Sequence, residues 1–366
     1  MATHPYAGMS DYAFWRRAVG SVAMGDVDPV VRARFPIRSD HRVVTAGSCF
    51  AQHIARHLAQ SGFNYFITEP LSPFVPEHLA RDYNYGVYTA RYGNVYTARQ
   101  FIQLLKRAYD LFTPLDDIWP DGEGRFFDPF RPQIQPGGFP SEREYKLDRS
   151  QHFAAVRTAV EQADVMVFTL GLTEAWINRE DGAVYPLCPG TAAGTFDPEV
   201  HRFVNFRVTQ VLGDMREAFD FVRDRNPRIR FLITVSPVPL VATAEDRHVL
   251  VSTVYSKSVL RAVCGELEAQ YDDVAYFPSY EIITGNHARG SYFGSDLREV
   301  TEAGVQHVMR LFMKHYATAE KPVEPISEQA ITIPPKEQRS AIEVARDIEA
   351  AVKVICDEEA LDRDST

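Results

Sequence analysis

A hydroxyl and a thiol stand side by side where the sequence predicts a sharp bend. Arg42–Ala46 read as a buried strand, Gly47-Ser48 as a tight turn, and Phe50, Ile54 and Leu58 then recur at helical spacing. The bend sets Ser48 and Cys49 on the first turn of a helix, at the positive end of its dipole and among its amide N–H groups. A thiol so placed has a lowered pKa and is a better nucleophile, and the same amides can hold an oxyanion. The plainer account is a strand–turn–helix with an inert cysteine, since free cysteines are among the most buried residue types.

Other residues with chemistry to offer fall at predicted strand ends, where doubly wound sheets carry their sites. Four loops meet that condition: 47–49, 171–176, 236–248 and 278–296. Glu174 and Trp176 suit a sugar, by hydrogen bond and by stacking, although Trp176 could equally plug the core. Ser256-Lys257, read near the start of a helix, could bind an anion such as phosphate; a solvated lysine is the plainer reading. Arg42, Arg56 and Arg298 carry no special reading.

The elements that must position these residues follow from periodicity. Residues 1–40 form an N-terminal arm with a short helix over Asp11–Val19, and Phe14-Trp15 are expected to cover the core. Phe63–Ile67 reads as a second strand, giving a βαβ unit and a parallel sheet. Residues 69–96, rich in Pro, Tyr and Asn, read as a long loop over the active face. Ala98–Phe112 carries a helical stripe at Phe101, Leu104, Leu105 and Ala108. Residues 113–147 are studded with Pro and Gly and read as an irregular insertion, a lid or one wall of a cleft; residues 149–163 read as helix. Val165–Leu170 is a continuous apolar run, the mark of a central strand, and Leu172–Trp176 a loop leaving it. A short strand is expected at 183–187, a long amphipathic segment over His201–Arg225, a buried strand at Phe231–Val235, a helix over Val249–Tyr271, a last core strand at Val274–Phe277 and a closing helix over Thr301–Tyr316. Residues 317–336 are a proline-rich linker. Residues 337–366 are a C-terminal amphipathic helix and tail, whose stripe (Ile342, Ala345, Ile348, Val352, Ile355) either docks on its own domain or pairs with a second copy, a route to a homo-oligomer.

Composition narrows the class. A chain of 366 residues, 45% hydrophobic and 24% charged, is an ordinary globular protein with ample core. A net charge of −10 argues against nucleic acid or an anionic membrane as the main partner. No apolar run reaches the roughly 20 residues needed to span a bilayer, and the N-terminus lacks a signal peptide's apolar core. A cytoplasmic protein is expected. Cys49, Cys188, Cys264 and Cys356 lie far apart with no metal-ligand spacing, so free thiols and no metal are expected.

Gly47-Ser48-Cys49-Phe50-Ala51 reads GSCFA and resembles the signature of the GSCFA family. So do Tyr92–Gln100 (YGNVYTARQ), Thr169–Trp176 (TLGLTEAW), Thr234–Pro239 (TVSPVP), Tyr255–Ser258 (YSKS) and Phe277–Glu281 (FPSYE), which together cover about residues 40 to 316. The resemblance links the chain to the SGNH/GDSL hydrolases. It implies a three-layer α/β/α sandwich with a mostly parallel, flavodoxin-like sheet over residues 41–316, acyl-ester chemistry and no cofactor, but no particular substrate. Gly-Asp-Ser of that superfamily matches Gly47-Ser48-Cys49, which implies attack by the thiol, with Ser48 as the other nucleophile to consider. The superfamily's Asp-x-x-His before the last helix matches Asp296-Leu-Arg-Glu299, so the histidine position holds Glu299. As substitute bases, the resemblance leaves His248, the favoured one, then His287, His53 and Glu299 itself; a solvated surface histidine is the plainer reading of each. For the oxyanion it implies Gly93 or Asn94, with Thr173-Glu174 where Asn-Asp is usual, and Asn205 as a further donor.

The expected function is therefore an SGNH-like acyl-ester hydrolase or O-acyltransferase. It would act through Cys49 on an acylated polar small molecule, such as a carbohydrate or glycolipid precursor. The alternative is a non-catalytic ligand-binding protein on an SGNH-derived fold.

Overall fold

The computed structural model describes residues 4–74, 76–318, 357–359 and 361. In chain order its main strands are β1 (Val43–Gly47), β2 (Val165–Leu170), β3 (Glu174–Asn178), β4 (Val184–Tyr185), β5 (His201–Asn205), β6 (Arg230–Val235) and β7 (Val274–Tyr276). The helices are α1 (Ala51–Gln60), α2 (Ala98–Ala108), α3 (Glu142–Gln162), α4 (Val208–Arg223), α5 (Val249–Gln270), α6 (Ser279–Thr284) and α7 (Glu302–Tyr316).

Four strands make one parallel sheet in the order β7-β6-β2-β1. All residues of β1 and β2 are buried, as an unbroken apolar run requires when both sheet faces are covered. Side chains alternate between the faces with period two. Val44, Met166, Phe168, Phe231 and Ile233 pack with residues of α2, α3, α4 and α5. Val43, Val165, Val167 and Leu232 pack with residues of α1, α6 and α7. The result is a three-layer α/β/α sandwich. On the free edge of β1, Tyr65 makes a parallel bridge with Val43. From β1 the chain thus steps outward to Tyr65 before returning to β2 on β1's other side. In doubly wound sheets such a reversal is where a crevice forms, here at the carboxyl ends of β1 and β2.

Several expected elements differ. Phe63–Ile67 is a single bridge rather than a strand, because only Tyr65 reaches the edge of β1 in register. The expected helix over Asp11–Val19 is a 3-10 turn at Asp11–Ala13 followed by a π-turn at Arg16–Gly20. Trp15 is 67% exposed and covers no core, while Phe14 carries the guanidinium of Arg17 at 4.3 Å. Helix α3 begins at Glu142, inside the expected insertion, because Ser141 caps it by accepting from the Glu144 amide at 3.2 Å. Glu174–Asn178 is a strand rather than a loop, and the first five residues of His201–Arg225 are strand β5. Both belong to a small antiparallel sheet, β4-β3-β5, whose pairing overrides the apolar periodicity. Of the linker only residues 317 and 318 are described, and of the C-terminal helix and tail only 357–359 and 361; the rest lie outside the described residues.

The insertion is held by buried charge. Arg91 bonds Asp148 at 2.7 Å, its own amide donates to Glu69 at 2.7 Å, and His152 Nδ1 contacts Glu69 at 2.8 Å. Arg131 bonds Asp128 at 2.8 Å and Asp148 at 2.7 Å. Burial alone would raise the Glu69 pKa, but His152, Arg131 and the Arg91 amide outweigh it and hold the carboxyl below its usual range.

Candidate active site

The turn after β1 can be built only with glycine. Gly47 has φ +124°, and a Cβ there would lie 2.2 Å from the Thr169 carbonyl oxygen on β2. The Ser48 amide then donates to that same carbonyl at 3.0 Å, which pins the turn across the crevice. Ala51, Gln52 and His53 amides donate to the carbonyls of Ser48, Cys49 and Phe50 at 2.9, 3.1 and 3.2 Å. The first helical amides are thus spent in tight turns. Cys49 is 5% exposed. Ser48 is 2% exposed, its hydroxyl buried without a hydrogen-bond partner, and a Cβ on Gly171 would come within 2.8 Å of its own Cβ. Of the two candidate nucleophiles, Ser48 is therefore wedged between β1 and the chain leaving β2.

Asn94 closes one side. Gly93, at φ +69°, turns the chain inward, and the Val95 amide ties the turn to the Gly47 carbonyl at 2.8 Å. Gln52, one helical turn beyond Cys49, donates to Asn94 Oδ1 at 3.3 Å, and Gln100 donates to the Asn94 carbonyl at 2.9 Å. With its oxygen engaged, the Asn94 amide group presents its N–H donors, and Nδ2 donates to Asp357 Oδ2 at 2.8 Å.

Lys257 closes the other side. It lies more than two turns into α5, which begins at Val249, so it is not the anion binder at a helix N-terminus that its sequence context suggests. Its side chain is 1% exposed, and Nζ donates to the Gly171 carbonyl at 2.7 Å. Burial lowers its pKa to about 8, with Arg298 acting the same way, while the charges of Glu358 and Cys49 oppose the shift. Arg298 comes from the loop before α7. Its guanidinium donates to the Pro239 carbonyl at 3.3 Å and to Glu358 at 3.2 Å. A small pocket borders this cluster; Tyr88, Gly93, Asn94 and Asp357 line it together with Phe130 and Ile134 of the insertion.

The structure thus brings Cys49, Gly93, Asn94 and Lys257 together. Thr173, Glu174 and Asn205 stand beside them in a closed network. The Thr173 amide donates to Ser256 at 3.1 Å, its hydroxyl to Asn205 at 2.7 Å, and Asn205 in turn to Glu245 at 3.0 Å. Glu174 accepts from Thr243 at 2.8 Å, and burial raises its pKa. Trp176 meets the edges of Phe196 and Phe203 at 5.1 and 5.7 Å, as packing of the small sheet.

The expected bases are engaged with other partners. His248 is exposed and caps α5, accepting from the Leu250 amide at 3.1 Å. Asp296 and Glu299 are exposed, and the Asp296 carboxylate accepts from the Arg298 and Glu299 amides at 3.1 Å each, as a turn-former. His287 packs at 6.5 Å from His307, on the α7 side of the sandwich. His53 is driven to a pKa of about 3 by burial, with Arg56 and His57 adding to the shift, and stays neutral against Phe50 at 5.4 Å. Sequence reasoning missed Gln52 and Arg298 and the pairing of Lys257 with Cys49. Gln52 carried a readable signal, since a residue three beyond Cys49 shares its helical face; Arg298 carried none.

No helix among the described residues is long and apolar enough to cross a membrane. A comparison with curated proteins finds no match. A family model matches residues 42–312, from the strand before Cys49 through most of α7, and by that match the chain belongs to the GSCFA family.

Proposed function

We propose that the protein is an acyl-ester hydrolase or O-acyltransferase in which Cys49 is the nucleophile and Lys257 its base. The substrate is an acylated polar molecule of the carbohydrate or glycolipid-precursor type. The observation that carries this reading is a buried lysine whose Nζ is held at 2.7 Å by the carbonyl of Gly171, the residue packed against Ser48; burial lowers its pKa to about 8, and the charge of Cys49 opposes the shift. Perturbed titratable groups in such a place mark candidate sites. The resemblance to SGNH hydrolases supports the reaction class, and Lys257 takes the place left by the histidine that Glu299 replaces.

The steps follow from these groups. The Lys257 amine takes the Cys49 proton, and the thiolate adds to the ester carbonyl carbon. The oxyanion accepts from Asn94 Nδ2 and from the amide of Cys49 or Phe50. Collapse breaks the carbon–oxygen bond, leaves a thioester on Cys49, and returns the proton from Lys257 to the departing alkoxide. Water or a second alcohol then gives its proton to Lys257 and attacks the thioester. The released thiolate recovers that proton from Lys257.

The test is mass spectrometry of the protein after exposure to an activated acyl ester such as p-nitrophenyl acetate. One acyl group should appear on the native protein and none on Cys49→Ala. Equal turnover by the two would reject the reading and leave the non-catalytic ligand-binding alternative.

A further inference from the structure

The carboxylates seated in the crevice belong to the chain itself. Asp357 and Glu358, each 7% exposed, lie 263 and 60 positions away in sequence from the residues they bond, Asn94 and Arg298. A buried carboxylate is costly unless paired and hydrogen-bonded. Here the two are met by an amide N–H at 2.8 Å, a guanidinium at 3.2 Å and the charge of buried Lys257. The Arg298 and Glu358 side chains are only 16% and 9% exposed, so this ion pair is not one of the weak surface kind. Asn94, the donor proposed above for the oxyanion, is thus already holding an oxygen anion.

We propose that Asn94, Lys257 and Arg298 form an anion subsite beside Cys49 for an ester substrate that itself carries a carboxylate or a phosphate, and that Asp357 and Glu358 occupy this subsite in cis as a built-in competitor. Cys49 is taken here as the nucleophile, as proposed above. Two cations in a poorly solvated crevice favour a negative ligand over a neutral one. A tethered occupant competes at an effective concentration in the millimolar range. Substrate must therefore displace the acidic segment to reach the sulfur. Asn94 and Asp357 also line one small pocket together.

The full chain can test this with two alkylating agents of similar size, anionic iodoacetate and neutral iodoacetamide, each read by mass at Cys49. In Asp357→Asn/Glu358→Gln, both rates should rise, and the iodoacetate:iodoacetamide ratio should rise by about tenfold over the native chain. Glu359→Gln, which changes net charge without touching Asn94 or Arg298, should leave the ratio alone. Adding Arg298→Met to the double variant should lower the ratio again. An unchanged ratio in the double variant overturns the subsite, while brisk alkylation by iodoacetamide would still support the nucleophile. If Cys49 proves inert to both reagents, the acyl-transfer reading falls. Calorimetry then decides the subsite: the double variant should bind glutarate or inorganic phosphate, the native chain should bind it at least about tenfold more weakly, and the tighter of the two anions names the substrate's charged group. Equal binding by the two chains, or none, overturns the proposal.

Discussion

Arg91 and Asn94 stand three positions apart on one loop, yet they serve two clusters of buried charge that differ in how they are closed. Arg91 belongs to the cluster of Glu69, Asp128, Arg131, Asp148 and His152, in which the cations and carboxylates answer one another from within residues 69–152. Asn94 belongs to the cluster of Cys49, Lys257 and Arg298, where the cations are answered by a thiol and by carboxylates from the far end of the chain. The first cluster holds its carboxylates ionised, with Glu69 and Asp128 below their usual pKa despite complete or near-complete burial. The second leaves its lysine short of compensation, with burial winning over Glu358 and Cys49. A closed charge cluster builds the wall of a site. In the second, burial weakens the lysine's hold on its proton, the property that the proposed base needs.

The contrast can be broken from either side. Lys257→Met should cut turnover by about 10²–10⁴-fold, the span of a lost general base, and should move the pH midpoint of Cys49 alkylation upward. Its stability should stay the same or rise, because a buried charge gives way to a hydrophobic side chain of similar size. Denaturant titration beside the kinetics checks both parts, and equal losses in rate and stability would make Lys257 a structural residue. Arg131→Met should do the opposite. It strips Asp128 and Asp148 of a partner, so a loss of about 3–5 kcal/mol is expected in the same titration, with Cys49 alkylation in the folded fraction near native rates.

A third measurement sharpens the difference through pH. The folded pKa of Lys257, about 8, lies below its unfolded value of 10.5, so the unfolded chain binds more protons between these limits. Lysine burial therefore destabilises below pH 8, and the penalty is released as pH rises toward 10.5. The stability advantage of Lys257→Met over the native chain should shrink by about 3 kcal/mol across that window. The smallest effect belongs to a residue outside both clusters. His248→Ala should cost at most about 1 kcal/mol through the lost cap of α5, with turnover unchanged; a large kinetic loss would return His248 to the site.

Much of the fold was legible in local pattern. The apolar runs at 43–46, 165–170 and 231–235 and the helical stripes of α2, α5 and α7 report burial directly, and burial has the period of the element that carries it. Of the small sheet only β4 was legible; β3 follows a core strand so closely that it imitates a loop, and the half-exposed β5 runs into the apolar spacing of a helix until the two pair. The turn that carries Cys49 was legible because its requirements are local, namely a glycine where no Cβ fits and a cysteine at the head of a helix. Asn94 was legible through the family resemblance, not through its own surroundings.

The partner of that thiol was decided only by tertiary structure. A lysine's pKa depends on how much water and which charges surround it, and neither is written in the residues next to it. Lys257 looks like any polar residue on α5 until the sandwich buries it against Gly171, near Cys49. Asp357 and Glu358 likewise read as the end of an amphipathic helix until folding seats them against Asn94 and Arg298. Sequence by itself determined which strand carries the sulfur and how the bend presents it. Only the packed chain determined which charges meet there, because electrostatic energy depends on distance and desolvation through space, not on separation along the backbone.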